Sequence, residues 1–222
     1  MVIHFLSSGI FAPDATTYGP IEMLLNAEDR EERDRLTEKW RDNKLSELNF
    51  VGIVAALLTG CLTSTGSWPR ILPNGAESPW PVRTSWYCGI ILSLMSILTA
   101  AGQTIRLHRL SSHRDALPHI RHLLSGLKGR RKRSSRRIKP GRAQVYTWQL
   151  PVMFLAMGVL CMVIGMFMLV WSATWHLHKQ NWWDENAKVA VTFTIVAFCS
   201  ILVFFAGEVS LYSPSNGVDS LD

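Results

Sequence analysis

The chain has 222 residues, 48% of them hydrophobic, and a formal net charge of +6 from 23 Lys and Arg against 17 Asp and Glu. Those totals would suit a basic soluble domain, but their distribution excludes one. The apolar residues gather in four blocks without formal charge, and a small domain cannot bury four helices that are apolar all round. The blocks cover 48–67, 84–105, 151–171 and 189–207. Each has about the ~20 residues a helix needs to cross a hydrocarbon core, and helix satisfies the backbone within the segment. The expected fold class is all-α, a four-span transmembrane helical bundle with an N-terminal charged amphipathic helix.

Residues 1–20 contain Gly9, Pro13, Gly19 and Pro20 without a sustained period, and read as irregular. No cleaved signal is expected, because the first apolar stretch has no basic flank and is broken by Ser7, Ser8 and Gly9. Asp14, Glu22 and the lack of Arg before Arg30 argue against a mitochondrial presequence. From Ile21 to Leu48 the pattern turns helical, with nine acids partly balanced by cations and pairs such as Glu31–Arg35 and Asp29–Arg33 at i,i+4. Met23, Leu24, Leu25, Leu36, Trp40 and Leu45 give this stretch one thin apolar edge. Residues 1–47 are thus expected to be a cytoplasmic region with a largely solvated helix.

The first span carries Gly52, Ala56, Gly60 and Ser64, a small residue at every fourth position. Such a stripe lets another helix approach closely, so these four are the candidates for helix packing within the bundle. The second span has a weaker version in Gly89, Ser93, Ser96 and Ala100, and the third in Gly158, Cys161 and Gly165. Cys61, Cys88, Cys161 and Cys199 all fall in spans without zinc-type spacing. Small buried hydrophobes are the expected reading, although Cys61 and Cys88 would sit at similar depth.

The connection 106–149 holds 13 of the cations against one acid, Asp115. It opens with Leu107, Leu110, Leu117, Ile120, Leu124 and Leu127 at threes and fours among cations and histidines. This pattern predicts a basic amphipathic helix lying at the membrane surface and interrupted at Pro118. His108, His113, His119 and His122 resemble the histidine boxes of membrane desaturases and hydroxylases, but the separated His-His pairs are missing and interleaved arginines would repel a metal. A polybasic run follows, and Lys128, Arg130, Arg131, Lys132, Arg133, Arg136, Arg137 and Lys139 are the candidates for contact with anionic lipid. Ser134 and Ser135 lie inside it with Arg upstream, where phosphorylation would loosen such a contact.

Charge also sets the expected topology. The loops 68–83 and 172–188 are poor in cations and rich in tryptophan, whereas Trp40 and Trp148 flank the basic side. Retention of Lys and Arg in the cytoplasm then places both termini and the 106–149 loop inside, with a short acidic tail at 208–222. No span has an Asp, Glu, Lys, Arg or His near its centre, which argues against ion pathways and coupled transport.

The blocks DRLTEKWRDNKLSELNFV (34–51), TSTGSWP (63–69), SWYCGI (85–90) and IRLHRL (105–110) resemble uncharacterised multi-span membrane proteins of filamentous ascomycete fungi. The resemblance covers about residues 25–205 and implies a membrane fold without implying an activity. There is no nucleophile constellation, phosphate loop or carboxylate pair, so no catalytic residue, cofactor or metal is expected. The expected role is a non-enzymatic scaffold or accessory subunit that contacts an anionic leaflet or a partner through its basic loop. Homo- or hetero-oligomers fit this role, and nucleic acid does not. An oligomeric channel or carrier is the alternative, and a diiron-type membrane oxidase or hydroxylase the third.

Overall fold

The computed structural model describes residues 15–66, 78–113, 115–125, 141–175 and 185–212. Among these residues six helices follow in chain order: α1 (Ala15–Asn26), α2 (Arg30–Gly66), α3 (Trp80–Ser111), α4 (Ala116–Ser125), α5 (Arg142–Trp175) and α6 (Glu185–Tyr212). The described residues contain no strand. Helices α2, α3, α5 and α6 are each long and apolar enough to cross a membrane. The all-α four-span class therefore stands, and the protein is membrane-embedded.

Hydropathy marks where lipid would begin, not where a helix ends. The charged stretch and the first span form one continuous helix, α2, of 37 residues. At 1.5 Å per residue that is roughly 55 Å, well beyond a ~30 Å hydrocarbon core. Asp29 starts it by accepting from the Glu32 N–H with its carboxylate at 3.4 Å and from the Arg33 N–H with its carbonyl at 3.1 Å. Glu31 and Glu32 in the first turn suit the positive helix end. The preceding residues form a separate helix, α1, so the charged N-terminal region is two helices rather than one.

The chain divides into two compact units, residues 1–68 with 84–163 and residues 69–83 with 164–222. In the first, the largest core lies at the charged end of the spans. Ile21, Leu24 and Leu25 of α1, Leu48 of α2, Ala100 and Leu107 of α3, Ile120 and Leu124 of α4, and Val145 and Trp148 of α5 form one buried cluster. The thin edge of α2, Leu36, Trp40 and Leu45, packs against it. Helix α1 lies on α2 and α4, and α4 on α2. These segments flank the apolar blocks, where water drives burial at roughly 1.5–3 kcal/mol per large aliphatic side chain. The span windows themselves are only 11% to 22% buried, leaving their apolar faces to lipid.

This core corrects the expectation of a surface-lying helix over 107–127. Leu107, Ile120 and Leu124 are at most 1% exposed, so the leucine face covers α1 and α2 instead of entering a bilayer. The helix also breaks earlier than Pro118, between Ser111 and Ala116. Pro118 then sits in the first turn of α4, where its missing N–H has no intrahelical acceptor to lose.

Within the spans of this unit, α3 and α5 meet along a seam of small and polar residues. Ser85 donates to the Cys161 carbonyl at 2.6 Å and Ser96 to the Pro151 carbonyl at 2.7 Å. Gly89 and Gly158 face each other: a Cβ at Gly158 would lie 3.0 Å from Ser93 Oγ and 3.5 Å from the Gly89 carbonyl. Helix α5 starts well before its apolar block and carries Pro151 in its interior. Proline cannot donate to the carbonyl four residues back. That carbonyl, on Thr147, accepts instead from Gln103 Nε2 of α3 at 2.6 Å.

The second unit contains the end of α5 and α6. Phe167 and Phe193 meet edge to face at 5.1 Å, and Trp171 Nε1 donates to Thr194 Oγ1 at 3.3 Å. Much of α6 is exposed, including Ile195, Val196, Phe198, Leu202 and Val203. Such a face is what a lipid-contacting helix presents.

Candidate functional site

The candidate site is the charged end of the first unit, where α1 and α4 cap the helices that continue into the spans. Two polar contacts fix α4. Arg121 Nη1 donates to Asp34 Oδ1 at 2.5 Å and reaches Thr37 Oγ1 at 3.5 Å, while the Thr37 hydroxyl donates back to the Arg33 carbonyl at 2.7 Å. With side-chain exposures of 18% and 35% the Arg121–Asp34 pair is partly screened, so it orients the helix more than it drives docking. Ile120 and Leu124 supply the burial.

The second contact closes the basic segment. The Gly141 N–H donates to the Leu124 carbonyl at 3.3 Å, and Leu124 and Val145 on either side are both buried in the core. Leu124 and Gly141, on either side of residues 126–140, are therefore held together on the cap. Eight cations and no acid occupy that segment. The lipid-contact candidates Lys128, Arg130, Arg131, Lys132, Arg133, Arg136, Arg137 and Lys139, and the serines at 134 and 135, lie outside the described residues.

At this end of the unit, α1, α2 and α5 line an open pocket of about 450 Å³. Pro20, Ile21 and Met23 form its α1 wall, Val145, Trp148 and Gln149 its α5 wall, and Leu36, Lys39, Trp40, Asn43, Lys44 and Glu47 its α2 wall. Lys44 is only 8% exposed and donates to Glu47 Oε1 at 2.7 Å. Lys39 is exposed and makes no ion pair among the described residues. Trp40 and Trp148 meet edge to face with ring centroids 5.7 Å apart. Trp148 is 4% exposed, and its buried Nε1 has no hydrogen-bond acceptor among the described residues. A buried unsatisfied donor of this kind costs about 1–3 kcal/mol.

The other expected residues separate clearly. Gly52 and Gly60 have no atom within 4 Å of an added Cβ, and Ala56, Gly60 and Ser64 are exposed. Gly52 and Gly60 face open space among the described residues, where the close approach is made by Gly89 and Gly158. Both glycines belong to the weaker stripes of the second and third spans, but nothing in those stripes points to Gln103 as their polar companion. The signal for Gln103 lies in the internal Pro151, which leaves one carbonyl needing a donor. Cys61, Cys88, Cys161 and Cys199 are free thiols. His113 and His119 stack with centroids 6.2 Å apart, and His119 Nδ1 lies 2.7 Å from the Asp115 carbonyl. Among the described residues no three His, Cys, Asp or Glu side chains gather to hold a metal.

No family model, no curated protein and no solved structure matches this chain.

Proposed function

We propose that the protein is a non-enzymatic membrane scaffold or accessory subunit that presents a closed basic loop to an anionic lipid leaflet. The hydrogen bond from Gly141 to Leu124 carries this reading, because it pins both ends of an eight-cation segment onto a buried core. A tethered loop loses less conformational freedom on binding than a free tail, so more of its electrostatic attraction appears as affinity. By the distribution of Lys and Arg the loop and both termini lie in the cytoplasm. The inner leaflet there is negative and attracts each nearby cation by about 1 kcal/mol. Kinship with the fungal multi-span proteins belongs to the same proposal and adds no activity to it.

The test uses full-length protein in nanodiscs of uncharged lipid, floated with phosphatidylserine vesicles. Native protein should rise with the vesicles and be released by salt. Replacing Arg130, Arg131, Lys132 and Arg133 with Gln should weaken capture by roughly a hundredfold or more, at about 1 kcal/mol per cation. Unchanged capture refutes the role of these four residues.

A further inference from the structure

We infer that the charged end of α3 holds the phosphate of one anionic phospholipid between Arg106 and Arg109. The two side chains line the same open groove, of about 390 Å³, together with Gly102, Ile105, Leu110 and His113. Both arginines are exposed, and neither makes an ion pair among the described residues. They stand three residues apart, which sets them side by side on a helix surface. Leu107, between them in sequence, is buried in the core, so the arginine face turns away from it.

Depth and shape suit a lipid. The second apolar block ends at Ile105, one residue before Arg106. The guanidinium groups therefore lie just past the hydrocarbon, where a bilayer keeps its phosphates. On the apolar side the same face of α3 continues back through Gly102 to Leu98. Leu98 is 64% and Ile105 51% exposed, and a Cβ on Gly102 would meet no atom within 4 Å. The glycine leaves a notch between two large exposed side chains, along which an acyl chain can lie. Charge selects the headgroup. The six lining residues bring two permanent positive charges and no carboxylate. A guanidinium grips a phosphodiester through two parallel N–H donors. A zwitterionic lipid carries its own cation into that field, and an anionic lipid does not. A free phosphate has no chain to cover Leu98 and Ile105 and keeps only the electrostatic attraction.

This site uses none of the residues 126–140 and stands if the loop reading fails. The experiment is native mass spectrometry of the delipidated full-length protein titrated with dioctanoyl-phosphatidylglycerol, dioctanoyl-phosphatidylcholine and inorganic phosphate. Native protein should retain phosphatidylglycerol in preference to phosphatidylcholine. Arg106→Gln and Arg109→Gln together should weaken phosphatidylglycerol about thirtyfold and leave phosphatidylcholine unchanged, erasing the preference. Replacing Arg130, Arg131, Lys132 and Arg133 with Gln should preserve it, which separates this site from the loop. Both α3 side chains are exposed and unpaired, so an unchanged unfolding midpoint is expected; if the double variant fails to fold, Arg109→Gln alone decides. Equal retention of phosphatidylglycerol by native protein and the α3 variant overturns the proposal, as does equal retention of the two lipids by native protein. Displacement of the lipid by inorganic phosphate also overturns it, by reassigning the groove to a soluble anion.

Discussion

Thr147 shows how one residue's missing proton places another. Pro151 removes the donor that its carbonyl would have had, and Gln103 replaces it from a neighbouring helix. Gln103→Leu should therefore destabilise the folded protein by about 1 kcal/mol in a denaturant titration. In a Pro151→Ala background the restored backbone N–H should serve the carbonyl, and the same substitution should cost clearly less. Equal costs in both backgrounds would break the link between the two residues. The glycines make a parallel case. Gly158→Leu would drive a side chain into Ser93 and the Gly89 backbone and should cost upwards of about 1–3 kcal/mol. Gly60→Leu meets open space and should leave the unfolding midpoint of the isolated chain unchanged.

At the scale of elements, α4 is held by burial first and by charge second. Leu124→Ala should cost roughly 2–5 kcal/mol, as a fully buried leucine does. Arg121→Ala should cost about 1 kcal/mol or less, since the pair with Asp34 is partly exposed. Hydrogen exchange over residues 116–125 measures both, and protection lost equally in the two variants would reverse this order. The elements also show what is legible in the sequence. The four spans are, because lipid demands an unbroken apolar stretch about as long as the bilayer is thick. The edges at Leu24 and Leu36 and the leucine face at Leu107 and Leu124 are also legible as faces in need of cover. Their pairing is not, because an amphipathic face records that it must be buried and not what buries it. The membrane is the natural cover for 107–127 on sequence grounds, yet in the structure α1 occupies that face. Helix ends are hidden for a related reason: Arg30–Glu47 and Arg142–Gln149 are charged or polar but contain no breaker, so the helices run through them. Small residues permit close approach without requiring it, and Gly52 and Gly60 have open space beside them among the described residues. The seam forms where serine hydroxyls and the bare Thr147 carbonyl give α3 and α5 a reason to meet.

For the whole molecule, the four apolar helices supply anchorage, and in the proposed function the cap at the charged end is the part that meets an anionic leaflet. The cap combines a buried core, a hydrogen bond from Gly141 to Leu124 between the residues that flank the basic segment, and an open pocket lined by α1, α2 and α5. Flux through reconstituted vesicles, abolished by substitutions along the spans, would favour a channel or carrier over this assignment. The most direct measurement places a spin label at position 134 in an otherwise cysteine-free chain and records its mobility in nanodiscs. In lipid containing phosphatidylserine the label should be immobilised, and high salt should free it. In purely zwitterionic lipid it should remain mobile. Identical mobility in the two lipids would contradict the account at its centre.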